Sequence, residues 1–149
     1  MARAAADTER INDPATRRRL TPAAIIGFLG IAERWQLSID DQRVLLGGLG
    51  RSTVIRWKHP TARPTVLGID RLTRISYLLG IYEGLERIFR QAPHEADAWV
   101  RRVNADTPFF DQTPLAFMRT GGLPALAAVR SYVDDWAAGP MARALWSAR

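Results

Sequence analysis

Gly50-Arg51-Ser52-Thr53-Val54-Ile55-Arg56-Trp57-Lys58 is the stretch on which the reading of this chain turns. It has the pattern of a short helix opened by glycine, with two chemically different faces. At about 100° per residue, Ser52, Thr53 and Arg56 share one arc, while Val54 and Trp57 point roughly the other way. Such a helix seats its apolar side on a small core and turns hydroxyls and a guanidinium outward. Hydroxyls suit phosphate and Arg suits the guanine edge, which is the chemistry of a helix-turn-helix recognition helix. On this reading Arg56 reads a base, and Arg51, Lys58 and Arg63 contact phosphates. Ser52 and Thr53 either bond phosphate or cap the start of the helix. Trp57 belongs to the core.

The residues just upstream complete the motif. Ser38, with Asp41 three positions on, forms an acidic capping box and opens a helix through Val44, Leu45 and Leu46. Gly47-Gly48 stops that helix and Leu49-Gly50 makes the turn. Helix, turn and second helix fit into about twenty residues, as a helix-turn-helix requires.

Charge follows the same division. The net charge is +6. Residues 1–34 contribute +2, residues 35–74 contribute +4, and residues 75–149 balance to zero. Between Arg51 and Arg63 there are four cations and no acid. Positive charge concentrated on one segment is the footprint expected where phosphates bind.

Elsewhere the pattern is helical throughout. Residues 1–20 are polar and aperiodic and read as a flexible tail, in which Arg17-Arg18-Arg19 is a further basic run. Thr21-Pro22 resembles a helix start, followed by Ile25, Phe28, Leu29 and Ala32 at helical spacing to about Trp35. His59 to Thr65 is a loop with two prolines. A long helix begins at Ile69, with Leu72, Ile75, Leu79, Tyr82, Leu85 and Phe89 on one stripe, and Gly80 and Gly84 allow a close neighbour. A helix over His94 to Val103 comes next. Thr113-Pro114 opens a turn or two of helix carrying Leu115, Phe117 and Met118, and Leu123-Pro124 opens a final helix ending at Gly139-Pro140. No segment alternates as a strand does. The expected class is all-α, with N-terminal helix-turn-helix helices joined by a long helix to a small helical C-terminal subdomain.

Several functions are disfavoured by composition. The chain of 149 residues has no cysteine, so disulfides, thiolate metal sites and a cysteine nucleophile are excluded. It has no apolar run of membrane-spanning length and no apolar signal core, so a cytoplasmic protein without membrane association is expected. The two histidines, His59 and His94, lie 35 residues apart. Asp134-Asp135 is an adjacent pair whose carboxylates diverge on a helix. Neither arrangement suggests catalysis, and no enzyme activity, metal or cofactor is expected.

Taken together, the segments resemble the Xre/MbcA/ParS family of bacterial antitoxins. The likeness rests on Arg51-Ser52-Thr53-Val54-Ile55-Arg56-Trp57 and on Asp70 through Tyr82. It continues through Trp99 to Asn104, Thr113-Pro114-Leu115-Ala116-Phe117-Met118 with Gly121-Gly122, and Val129 through Val133. Phe110-Asp111-Gln112 departs from it, since the family tends to have a glycine shortly before Thr-Pro-Leu. The resemblance implies a repressor of its own operon, with residues 21–90 on operator DNA and residues 91–149 on a toxin; a homodimer is expected because helix-turn-helix repressors usually meet palindromic operators as dimers. The toxins paired with the family are RES-domain proteins that degrade NAD and ADP-ribosyltransferase-like relatives. Leu115 and Met118 are most simply core residues of a small helical subdomain, and they are also candidate toxin contacts. Arg143, Trp146 and Arg149 of the C-terminal tail are further candidates, because Trp and Arg frequently anchor interfaces. The alternative reading is a helix-turn-helix transcriptional regulator whose C-terminal region dimerises or senses a ligand, with no toxin partner.

Overall fold

The computed structural model describes residues 11–139, which contain six α-helices and no strand. They are α1 (Pro14–Arg34), α2 (Ile39–Leu45), α3 (Arg51–Trp57), α4 (Ile69–Ile88), α5 (Pro93–Ala98) and α6 (Pro114–Ala137). A single 3-10 turn, Trp99–Arg101, follows α5. The chain divides into two compact units between Ser76 and Tyr77, inside α4. None of these helices is long and apolar enough to cross a membrane.

In the first unit, α1 begins eight residues before the expected Thr21-Pro22 start, so Pro14 to Leu20 are helical and not part of a flexible tail. Asp13-Pro14 supplies the same start signature earlier. The Asp13 carboxylate accepts from Thr16 N at 3.0 Å, and Pro14 sits where a missing N–H costs nothing. Pro22 is tolerated inside the helix on its exposed side, where the lost N–H and slight bend cost least. Arg17 is not a free arm. Its Nη1 donates to the carbonyls of Ile11 and Asn12 at 2.9 and 3.0 Å.

The inward face of α1 carries Ile25, Phe28, Ile31 and Ala32, all buried, and continues into Trp35 and Leu37. The Ser38–Asp41 capping box forms in full. Asp41 N donates to Ser38 Oγ at 2.9 Å, and Ser38 N donates to Asp41 Oδ2 at 3.0 Å. The loop after α3 is tied back to α1, because Leu67 N donates to the buried Thr21 hydroxyl at 3.1 Å.

In the second unit, α6 packs on the glycine side of α4. A Cβ at Gly80 would lie 1.9 Å from Arg130 Nη1, and one at Gly84 would lie 2.4 Å from Val133 Cγ1. The expected close neighbour is therefore α6. The buried stripe of α4 runs through Leu72, Ile75, Leu78, Ile81 and Leu85; Leu72, Ile75 and Leu85 are as expected, whereas Leu79, Tyr82 and Phe89 are half-buried and Ile69 is exposed. Helix α5 stops at Ala98, shorter than the expected span to Val103, because the chain tightens into the 3-10 turn.

An aromatic cluster fills the remaining interior. Phe109 meets Trp99, Phe117 and Tyr132 edge-on, with ring centroids 5.1 to 5.7 Å apart. Trp136 adds contacts to Trp99, Tyr132 and Phe89. Helix α6 is two rods joined at Gly122, whose φ of 65° and ψ of −150° are not helical. Pro124 follows that break at the first turn of the second rod, which suits a proline.

Candidate nucleic-acid interface

The turn between α2 and α3 is built from residues chosen for backbone shape. Gly47 and Gly48 have φ of 81° and 88°, a region that costs other residues about 1 kcal/mol or more. Their amides close the end of α2, Gly47 N on Val44 O at 3.0 Å and Gly48 N on Arg43 O at 2.8 Å. Arg43 Nε then donates to Leu49 O at 2.9 Å, fixing the far side of the turn. Leu46 and Leu49 are buried, so the turn is pinned from below.

On the other side of Gly47 stands the Arg74 guanidinium. Arg74 Nε bonds Asp70 Oδ2 at 2.9 Å, and a Cβ at Gly47 would come within 3.0 Å of that nitrogen. Glycine is favoured there by its φ, and a Cβ would in addition push the Arg74 side chain aside by a few tenths of an ångström. The register of the adjacent glycines, open from the sequence, is fixed: both are left-handed, and Gly50 is the residue that caps α3.

Val54 and Trp57 face inward and are buried. Arg51, Ser52, Ile55 and Arg56 form the exposed face, with Lys58 exposed just past the helix end. Thr53 lies at the border and is half-buried. No side chain caps α3, so the capping alternative for Ser52 and Thr53 is not realised. Ile55 is the one member of this face that is not among the residues expected to contact DNA. A helical wheel places it between Arg51 and Ser52, and it is 47% exposed.

The loop beyond α3 adds exposed Arg63 and His59. His59 Nδ1 lies 2.8 Å from the Thr61 hydroxyl and accepts from Thr61 N at 3.3 Å. The Leu67–Thr21 hydrogen bond anchors the end of this loop. Arg51, Arg56, Lys58 and Arg63 thus sit on one helix and its following loop, each exposed.

The candidate partner contacts of the second unit fall differently. Leu115 and Met118 are buried and pack in the unit's core, so neither offers surface to a partner in this conformation. Thr113 caps α6 through Ala116 N at 3.1 Å and turns Leu115 and Met118 inward. Arg143, Trp146 and Arg149 lie outside the described residues. Exposed apolar surface appears instead at Val103 and Phe110, 67% and 69% exposed.

Phe110 and Asp111 have φ of 48° and 67°, left-handed values at two successive non-glycine residues. The loop that holds them is closed by Asn104 and Gln112, with Asn104 N donating to Gln112 O at 3.0 Å. Tyr132 Oη donates to Asp106 Oδ2 at 2.8 Å and ties the loop to α6. Among the described residues no group of three His, Cys, Asp or Glu is placed to hold a metal. His94 reaches only toward Glu95, at 3.8 Å, and Asp134 is paired with Arg130 at 3.0 Å.

No protein-family model matches the chain. Over 126 residues it is 38% identical to the uncharacterized protein y4oB of Sinorhizobium fredii (strain NBRC 101917 / NGR234), a match covering 84% of this chain and 92% of that protein. The chain belongs to the family of y4oB. A match to y4oB of that length, in a chain of 149 residues, takes in α2, α3 and the loop after them wherever it starts. It also takes in residues of both units. The likeness to y4oB is therefore to the two-unit protein and not to an isolated helical module.

Proposed function

We propose that this protein is an antitoxin that represses its own operon: α2 and α3 form a helix-turn-helix on operator DNA, and the second unit engages a toxin acting on NAD. The observation that carries the DNA half is the exposed face of α3. Arg51, Ser52 and Arg56 project from a helix whose other side is buried, and Lys58 and Arg63 extend the cationic surface. No acid interrupts the run from Arg51 to Arg63. Phosphate contacts from Arg51, Lys58 and Arg63 would set position, and Arg56 would read guanine. The toxin half is supported by the resemblance to the Xre/MbcA/ParS antitoxins, with a RES-like or ADP-ribosyltransferase-like partner and a homodimeric repressor.

Two assays test the two halves. Fluorescence anisotropy with the DNA upstream of the gene is expected to show specific binding with a log–log salt slope of about −3 per module, for the three phosphates neutralised by Arg51, Lys58 and Arg63. Binding no tighter than to unrelated DNA at low salt would remove the repressor role. Co-expression with the product of the adjacent reading frame, followed by an NAD-consumption assay, is expected to yield a stable complex with the activity suppressed. A neighbour that neither binds nor consumes NAD would remove the antitoxin role.

A further inference from the structure

Ile55 is the anomaly on the exposed face of α3. It is a β-branched apolar side chain, 47% exposed, set among Arg51, Ser52 and Arg56 on a surface that is otherwise polar or cationic. A side chain aimed at phosphates has no reason to be apolar. One aimed at base edges in the major groove does, because thymine presents a methyl group there and apolar side chains recognise it by contact. Isoleucine is also stiff at χ1 in a helix, so little rotamer freedom is lost on docking. Its neighbours fix where it points. Arg51 and Ser52 lie one turn before it on the same face and Arg56 follows directly, so Ile55 occupies the middle of the surface.

We infer that Ile55 reads a thymine methyl in the DNA site, within about two base pairs of the guanine read by Arg56. This rests on the DNA-binding reading of α3 and adds a specificity element to it. The polar residues fix phosphate register and one guanine, and Ile55 favours thymine over pyrimidines that lack the methyl at a neighbouring position.

The test uses the full chain and a randomised duplex library, from which the preferred site is selected. Each thymine of that site is then replaced singly by deoxyuridine, which removes the methyl and leaves every hydrogen-bonding group in place. The wild-type protein is expected to lose affinity about fourfold at one thymine per half-site, the worth of one buried methyl. Ile55→Ala, substituted at an exposed position, is expected to bind the thymine site about as weakly as wild type binds the uracil site, and to be indifferent to the replacement. Uniform indifference of the wild type to uracil overturns the inference while leaving DNA binding intact. So does an Ile55→Ala protein that still senses the methyl, since another residue is then the reader. Failure to select any site overturns the DNA-binding reading along with it.

Discussion

Thr21→Val tests the hydrogen bond by which Leu67, at the end of the loop after α3, is tied back to α1. The Thr21 hydroxyl, 2% exposed at the residue level, accepts from Leu67 N at 3.1 Å and donates to Arg17 O at 2.7 Å. Valine keeps the shape and removes both. The Leu67 N–H is then buried without an acceptor, at a cost of about 1–3 kcal/mol. Exchanging a hydroxyl for a methyl returns up to about 1 kcal/mol of apolar burial. The net loss therefore lies between about 0 and 3 kcal/mol, centred on about 1.5 kcal/mol, a fall of about 1 M in the urea midpoint for a small unit. Thr21→Ser also destabilises, through its lost methyl, so midpoints alone do not discriminate. Amide exchange does. Leu67 is expected to lose protection selectively in the valine variant and to keep its relative protection in the serine variant. Equal protection of Leu67 in wild type and Thr21→Val would refute the tether.

Three other outcomes follow from geometry already described. Arg56→Ala, altering an exposed side chain, is expected to lower affinity for the specific DNA site by about 1–3 kcal/mol without changing the thermal midpoint; loss of fold would make Arg56 structural. Gly84→Ala places a methyl 2.4 Å from Val133 Cγ1 and is expected to destabilise by about 1–3 kcal/mol, less the helix-propensity gain; Val133→Ala in the same chain should recover part of the loss in a chemical melt. Asp13 is held below its ordinary value by hydrogen bonds from Thr16, so its cap is present above the unfolded carboxyl pKa and is lost as pH falls through the depressed folded value. NMR shifts of Pro14 to Arg17 should report fraying in that acid range, and Asp13→Asn should abolish the pH dependence while keeping the cap.

What was legible in the sequence was what short-range chemistry decides. Ser38 and Asp41 announce a capping box, Gly47-Gly48 a stop, and Val54 with Trp57 an inward face; each is found where its spacing put it. The start of α1 is ambiguous from the sequence because Asp13-Pro14 and Thr21-Pro22 carry the same local signature, and only the tertiary role of Thr21 separates them. In α4 the spacing places Leu72, Ile75 and Leu85 correctly but not the residues between them, because Leu78 and Leu79 are equally apolar and the neighbour across Gly80 and Gly84 decides which is buried. The loop from Asn104 to Gln112 was least legible. Its shape depends on Phe109 entering a cluster assembled from distant residues, and on left-handed backbone at Phe110 and Asp111, where composition offers no glycine to signal it. The burial of Leu115 and Met118 agrees with their simplest reading as core, although an apolar stripe looks alike whether it faces a core or a partner.

Gly122 divides α6 into Pro114 to Gly121 and Leu123 to Ala137, and the division has a bearing on the order in which structure is acquired. Helices shorter than about 12 residues are marginal in water, because nucleation costs more than a few added turns recover. The longer rod can gain helix early through its own propagation. The eight-residue rod cannot borrow that nucleus across a residue with φ of 65°, so it must wait for Leu115 and Met118 to find their sites. The front of α6 should therefore be a late-forming piece of this protein, assembled onto a surface that the rest of the unit has already made.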